Sequence, residues 1–331
     1  MKHLTIVVPD GYPNLVSIVG AYMILTRAES YWQSMGNKSI FNIELAGISQ
    51  KVGVYEGLFS IYPKRNISQI EKTDLIVIPA LLPQNGFSPE IKKNKTLVSW
   101  INKQYKNGAE IASICTGIFI LASTGLVNGK SCSTHWAVVN DFKEIFPKVN
   151  LVPDKIITYQ DGIYTSGGAF SFLNFLLYLI EKYYDRCTAI YCAKVFEIDM
   201  SRESQSQFSV FRGQKNHPDE EIKKAQIYIE KNFQEKISIE KLADKYAIGR
   251  RNFDRRFKKA TGNTPIEYLQ RVKIEAAKKD FETTRKSITE VMYEVGYSDF
   301  KAFRTTFKKI TGLSPIEYRN KFNKDKIVEM I

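Results

Sequence analysis

Two hydrophobic rhythms divide this chain. Up to about residue 198, short runs of consecutive apolar residues alternate with stretches whose apolar positions recur every three or four residues. Leu4 to Val8, Phe41 to Ile48, Leu75 to Ile78 and Glu110 to Ile114 are runs of the first kind and predict β-strands. Leu15 to Met35, Thr96 to Tyr105 and Thr116 to Thr124 are of the second kind and predict helices. Gly36 closes the first helix and Asn107-Gly108 the second. Ile156 to Tyr159 and Ile163 to Thr165 flank Asp161-Gly162, a pair favoured in tight hairpins. Gly167-Gly168 then opens a helix that reaches Tyr184. Apolar strands separated by amphipathic helices predict an α/β domain, a mostly parallel sheet covered on both faces.

Residues 199–218 break that rhythm. The stretch is polar, rich in Ser and Gln, and ends in Gly213 and Pro218. It predicts a closing segment and linker between a domain at 1–198 and another at 219–331. Beyond it every pattern is helical, and the chain repeats itself. FKKATGNTPIEY (Phe257 to Tyr268) returns as FKKITGLSPIEY (Phe307 to Tyr318), 50 residues later, with nine of twelve positions identical. Two copies of one unit are therefore expected.

Each copy has the parts of a helix-turn-helix. In the first, Ser238 caps a helix to about Tyr246, with Leu242 and Ala243 inside. Ala247-Ile248-Gly249 makes the turn, and a second helix runs from Arg250 to about Ala260, stopped by Gly262. Phe253 and Phe257 face its core. Arg250, Arg251, Asp254, Arg255 and Lys258 lie on the other face. In the second copy, Ser287 and Glu290 fit a capping box, and Val291, Met292 and Val295 face inward. Gly296 to Asp299 makes a turn one residue longer. The following helix, about Phe300 to Ile310, puts Phe303 and Phe307 inside and Lys301, Arg304, Thr305 and Lys308 outside. Thr264-Pro265 with Glu267, and Ser314-Pro315 with Glu317, start two further helices in the same way. The first of them, to about Phe281, joins the copies. At 1.5 Å per residue it spans roughly 25 Å, comparable to the ~34 Å between successive major-groove segments on one face of DNA.

Charge agrees with that geometry. The formal net charge is +13; +8 of it falls in the 113 residues from Asp219 and +5 in the preceding 218. A basic excess on helices of this kind suits a polyanion. Arg250, Lys258, Lys259, Lys308 and Lys309 are spaced to meet phosphates. The stretch from Glu221 to about Phe322 resembles the AraC-type DNA-binding domain, most closely along SITEVMYEVGYSDFKAFRTTFKKITGLSPIEYR (Ser287 to Arg319). The resemblance implies double-stranded DNA as partner. It also implies base-facing positions at Arg251, Asp254 and Arg255 in one copy and Lys301, Arg304 and Thr305 in the other. Arg and Lys bond guanine O6 and N7, and Asp accepts from cytosine N4.

The front domain carries a second candidate site. In AEIASICTGIFILASTGLVNGKSCSTHW (Ala109 to Trp136), Cys115 follows a strand and precedes a helix, a nucleophile-elbow position. His135 lies downstream. The region Leu4 to Tyr184 is similar to the ThiJ/PfpI family, whose flavodoxin-like fold is shared with class I glutamine amidotransferase domains. That family commonly pairs its cysteine with a glutamate on the helix after the first strand. Here Asn14, Leu15, Val16 and Ser17 occupy that region, and Pro79-Ala80-Leu81 stands where the family often has Gly-Gly. Three readings stay open: a buried structural thiol; a ligand pocket lined by Cys115, Thr116, His135 and Trp136; or a cysteine-dependent hydrolase or amidase. An oxidation-sensing thiol with Cys132 as resolving partner is a form of the second.

The remaining composition narrows the classes. Four cysteines in 331 residues do not make a disulfide scaffold, and no second ligand pair gives Cys132 and His135 zinc-site spacing. The longest apolar stretch, Ala169 to Ile180, is too short to cross a bilayer. MKHLTIVVPDG begins a strand rather than a cleaved leader, so the expected compartment is the cytoplasm. A ThiJ/PfpI-like domain before an AraC-type domain resembles a regulator subgroup. That resemblance implies a homodimer that binds a small, often nitrogen-containing metabolite, runs no catalysis and needs no cofactor, with RNA polymerase as a candidate partner.

Overall fold

A computed structural model describes residues 1–200 and 204–323. Contacts divide the chain into two units, Met1–Gln205 and Ser206–Ile331.

The first unit opens with β1 (Lys2–Val8), α1 (Leu15–Ser34), β2 (Phe41–Gly47), β3 (Val52–Val54), β4 (Phe59–Ile61), β5 (Arg65–Asn66) and β6 (Leu75–Ile78). It continues with α2 (Phe87–Lys93), α3 (Lys95–Lys106), β7 (Glu110–Ser113), α4 (Ile118–Ser123), β8 (Ser131–Cys132), α5 (Val139–Ile145) and β9 (Asn150–Leu151). It closes with β10 (Ile157–Gln160), β11 (Ile163–Ser166), α6 (Phe172–Tyr183) and α7 (Arg186–Val195). The main sheet has the order β10-β11-β7-β6-β1-β2-β5, parallel except for the β10–β11 hairpin. Asp161 and Gly162 both turn that hairpin with positive φ, 52° and 73°, as its twist requires.

Both faces of the sheet are covered, as the unbroken apolar strands predict. Ile6, Val77 and Ala112 pack on one side with Ile18, Leu25, Phe175 and Leu176 of α1 and α6. Their neighbours Val7, Ile76 and Ile111 pack on the other with Leu97, Ile101, Phe119 and Phe142 of α3, α4 and α5. The two predicted helices at Thr116 and Gly168 each start later than expected. A 3-10 turn over Cys115–Gly117 precedes α4, and another over Ala169–Ser171 precedes α6. Helix α7 lies in a stretch for which the sequence patterns above name no element. It forms because Ala189, Cys192 and Ala193 are small enough to lie against α1 and α6.

The second unit is helical among the described residues: α8 (Glu220–Asn232), α9 (Ile239–Lys245), α10 (Arg250–Thr261), α11 (Pro265–Thr283), α12 (Ile288–Glu294), α13 (Phe300–Thr311) and α14 (Pro315–Phe322). Two cores form. Ile222, Ile229, Leu242, Phe253, Phe257 and Tyr268 make one. Ile274, Phe281, Val291, Met292, Phe303 and Phe307 make the other. Helix α11 feeds both, its Tyr268 end in the first and its Phe281 end in the second. Of the stretch expected to be a linker, 201–203 lie outside the described residues, while part of the rest is packed: Phe211 lies on the first core, and a 3-10 turn at Ser206–Phe208 lies against α13. Only the chain's side-chain chemistry, not its polarity, reveals that docking.

Candidate functional site

In the first unit the site is built at the carboxyl end of β7. Ile114 still bonds in sheet fashion, its N–H to the Ile78 carbonyl at 2.8 Å. Cys115 then takes φ +52°, the left-handed region that costs a side-chain-bearing residue strain. Gly117 has no room for a side chain: a Cβ there would lie 2.5 Å from the Pro79 carbonyl oxygen. The elbow is therefore pressed onto the loop after β6. Thr116 locks that loop, its Oγ1 accepting from Leu81 N–H at 2.8 Å and donating to the Leu81 carbonyl at 2.7 Å. Thr134 Oγ1 donates to the Cys115 carbonyl at 3.2 Å, and Cys115 N–H donates to Ser166 Oγ at 3.2 Å.

The Cys115 sulfur is only 7% exposed with its residue. Burial pushes the thiol up from its ordinary value. Backbone N–H groups of Ala169, Thr116 and His135 aim at the sulfur and pull the other way, but less strongly. His135 is half-buried, and burial lowers its pKa, so it stands neutral at pH 7. Its Nδ1 accepts from Ala137 N–H at 3.0 Å, which leaves Nε2 with the proton. The imidazole lies against Gly168, where a Cβ would come within 2.1 Å of the ring. Trp136 tilts against it, ring centres 5.3 Å apart. Among the described residues no hydrogen bond or ion pair joins His135 to a carboxylate.

The acid missing from the first helix has been replaced by a structural tie. Asn14 caps α1 by accepting from Ser17 N–H at 3.1 Å. Ser17 Oγ accepts from Ala80 N–H at 3.1 Å, so the α1 start and the loop at Pro79-Ala80-Leu81 hold each other. A groove of about 170 Å³ runs along Tyr12, Pro13, Val54, Tyr55, Leu82 and Gln84, beside that loop. A larger hollow of about 550 Å³, at Tyr228 and Lys241 in the second unit, contains none of the candidate residues.

One residue that the sequence did not single out belongs to the Cys115 site. Gln205 is buried; its Oε1 accepts from Gly168 N–H at 3.0 Å and its Nε2 donates to the Thr134 carbonyl at 2.8 Å. A lone glutamine in a polar stretch carries no periodic signal, so only the fold reveals it.

The second unit presents two helices of 12 residues, α10 and α13, each after a short turn. Ser238 caps α9, and Ser287 with Glu290 forms both bonds of the predicted box at α12. Gly262 at φ +70° and Gly312 at φ +80° end the two presented helices, each returning an N–H to the helix. Thr264 with Glu267 and Ser314 with Glu317 form complete capping boxes with proline in the first turn. Phe253, Phe257, Phe303 and Phe307 are fully buried.

The outward faces differ. Arg250, Arg251, Arg255, Lys258 and Lys259 are exposed, while Asp254 is half-buried. Arg250 Nε donates to Asp254 Oδ2 at 3.0 Å, and Arg255 Nη2 donates to Asn252 Oδ1 at 2.8 Å. The carboxylate of Asp254 is thus turned to its own helix. On α13, Lys301, Arg304, Thr305, Lys308 and Lys309 are all exposed. No ion pair or side-chain hydrogen bond among the described residues engages them. Arg256 points elsewhere and clamps Asp219, the cap of α8, with two bonds of 2.9 and 2.6 Å.

Known proteins share these two halves. The DJ-1/PfpI family profile matches residues 18–182, and a helix-turn-helix domain profile matches residues 242–321. The HTH-type transcriptional regulator GbdR of Pseudomonas aeruginosa is 25% identical over 201 residues, 60% of this chain and 54% of that protein. Isonitrile hydratase of Pseudomonas putida is 30% identical over 110 residues, 33% of this chain and 45% of that enzyme. The chain spans about half the length of these curated relatives. A crystal structure of a candidate transcriptional regulator from Vibrio parahaemolyticus superposes with TM-score 0.52 at 22% identity. It covers 59% of this chain and 98% of that one, a likeness of fold.

Proposed function

We propose that this chain, a DJ-1/PfpI-family domain followed by an AraC-type helix-turn-helix domain, is a DNA-binding transcription regulator controlled by a small molecule in its N-terminal unit. The observation that carries the reading is the pair of matched helices. α10 and α13 each follow a short turn, share one supporting helix and turn basic faces to solvent. Such helices enter the major groove, where Arg251 and Arg255, and Lys301, Arg304 and Thr305, meet base edges. Arg250, Lys258, Lys259, Lys308 and Lys309 meet phosphates. Selection from a random pool of duplexes tests this. The full chain enriches a two-part site about one helical turn in spacing, ~34 Å centre to centre. A pool that emerges without any enriched sequence sinks the reading.

The Cys115 locus serves binding in this reading. Its thiol is held protonated by burial, and a protonated thiol is a poor nucleophile. Among the described residues no carboxylate orients the histidine, and Asn14 is spent as a cap. Converging N–H groups at the carboxyl ends of parallel strands remain a suitable place for a polar ligand, with Thr116 and Trp136 beside it. A hydrolase or amidase is the rival. Cys115→Ala that keeps effector-dependent DNA binding supports the sensor; loss of a measured amide or nitrile hydrolysis together with loss of regulation supports the enzyme.

A second surface supports a homodimer. Val16, Val19, Tyr22 and Met23 follow one stripe of α1 and are 42–52% exposed, an apolar face without cover in one copy. Val19→Asp then lowers the sedimentation coefficient towards that of a single chain. No helix of the described residues is long and apolar enough to cross a membrane. A regulator of this kind works in the cytoplasm beside RNA polymerase.

A further inference from the structure

Gln205 is the last residue of the first unit, and two of the groups its side chain holds, Gly168 N–H and the Thr134 carbonyl, belong to the Cys115 site. It binds Gly168 N–H and the Thr134 carbonyl, and also donates to the Pro153 carbonyl at 2.5 Å. Gly168 backs the His135 ring, and the next residue, Ala169, aims its amide at the Cys115 sulfur. Thr134 holds the Cys115 carbonyl. A Cβ at Gly167 would lie 2.9 Å from Gln205 Nε2, so the amide is pressed onto this loop. Ser204 and the Gln205 backbone pin the same stretch to Asp154, at 3.0 and 3.2 Å.

Within the next few residues the chain is anchored again, now in the DNA-binding unit. Phe208 meets the Phe322 ring edge-on at 6.0 Å. The Ser209 carbonyl accepts from Lys278 Nζ at 2.6 Å, and that lysine is buried in α11. Phe211 meets Tyr268 edge-on at 5.1 Å. The Gln214 carbonyl accepts from Gln226 at 2.9 Å, and Lys215 pairs with Glu230 at 2.6 Å. Residues 206–215 thus form a strap that touches α14 of the second helix-turn-helix copy and α8 and α11 at the first. Between Gln205 and Phe208 lie two residues, so the joint spans at most about 10 Å.

We propose that Gln205 and this strap couple occupancy of the Cys115 site to the geometry of the two DNA-reading helices. The inference rests on the function proposed above. An occupant that displaces Gly168–Ala169 or Thr134 removes the hydrogen bonds of Gln205. The released chain then changes how the strap braces the two copies, whose cores are also joined through α11 and through Phe233 at the end of α8. Coupling of this kind is reciprocal: DNA binding must change the affinity of the Cys115 site for its occupant by the same factor as occupancy changes the affinity for DNA. The accompanying change at Gln205 is read as altered access to the Cys115 thiol.

Alkylation by iodoacetamide, read cysteine by cysteine by mass spectrometry, tests this on the full chain. Cys187 is exposed and serves as the internal reference. With a duplex that the wild-type chain selects from a random pool, the Cys115 rate changes about fivefold or more, and the Cys187 rate does not. Gln205→Ala speeds Cys115 alkylation without DNA and removes most of its DNA dependence. Phe211→Ala cuts the strap at its other end, far along the chain from the cysteine, and removes the same dependence. It covers the case in which Gln205→Ala disturbs the site itself. Carbamidomethylated Cys115, in a Cys187→Ser background, raises amide exchange across Phe208–Gly213. A wild-type chain that selects DNA but alkylates equally with and without it overturns the coupling alone, as do variants that keep full DNA dependence. A chain that selects no DNA overturns the proposed function and the coupling with it.

Discussion

The two helix-turn-helix copies share a scaffold and differ in how they hold their charge. Both bury two phenylalanines four residues apart, both end in a left-handed glycine, and both hand over to a Pro-Ile-Glu helix start. Yet α10 spends two of its basic groups internally, Arg250 on Asp254 and Arg255 on Asn252. Helix α13 leaves Arg304, Lys301 and Lys308 without such partners among the described residues. The helix starts differ too. Asp299 accepts from Ala302 N–H at 2.5 Å to cap α13, whereas Gly249 leaves α10 without a side-chain cap. Duplication preserves what packing demands and lets the solvent face drift. In the function proposed above, the second copy is ready to meet DNA, and the first must exchange internal bonds for external ones.

Removing the shared scaffold has the largest expected effect. Phe253→Ala and Phe303→Ala each cost about 3–5 kcal/mol in urea unfolding, because each empties a fully buried ring from a small core. Equal costs confirm equivalent cores; a gap of several kcal/mol breaks the symmetry. Since α11 enters both cores, either variant lowers protection in the other copy as well, measured by amide exchange.

Next comes the exposed charge. Arg304→Ala weakens binding to the selected duplex by about 1–3 kcal/mol and relaxes one base preference. Arg255→Ala costs less, because Arg255 gives up its Asn252 bond on binding. A titration in which Arg255→Ala costs more reverses the ranking of the two faces. The cap difference is smaller. Asp299→Ala destabilises by about 1 kcal/mol, while Gly249→Ser adds a few tenths of stability. There is open space for that serine, since no atom lies within 4 Å of a Cβ at Gly249.

Asp254→Asn goes the other way. It loses a few tenths of a kcal/mol of exposed i,i+4 pairing and frees Arg250, so binding to any duplex strengthens and its salt slope steepens by about one. An unchanged slope means that Arg250 does not reach a phosphate. The smallest effect is one that both copies share. Glu267 is held below its ordinary value mainly by the Thr264 backbone bond, and Glu317 mainly by the Ser314 hydroxyl. Their contribution is present above the ordinary carboxylate value of 4.5 and is lost as pH falls through the lowered folded value. Thr264→Ala and Ser314→Ala flatten that acid limb equally if the boxes are equivalent.

The C-terminal unit was legible because its signals are local. Caps, stop glycines and phenylalanine pairs act within one or two turns, and the repeat displays them twice. The α/β topology was also legible, since strands buried on both faces need no partner to declare themselves. The positions of Cys115 and Gly117 at an elbow followed from the strand-to-helix switch. The partners did not. The residues facing out from α10 were legible, but the pairing of the Asp254 carboxylate with Arg250 was not. Residues 206–215 looked like linker because polar residues dominate, although two phenylalanines anchor them.

Local order, from hydrogen-bond caps and apolar period, is written in the sequence and determined by it alone: the strands, the paired helix-turn-helix units and their basic faces. Which distant groups meet is a matter of tertiary structure. Asn14 tied to the loop of Ala80, His135 against Gly168, and Gln205 against both Thr134 and Gly168 are contacts across 30 to 70 or more residues. No periodic pattern encodes them. They exist because buried amides and carbonyls must find partners, and only the folded chain decides which partners are within reach.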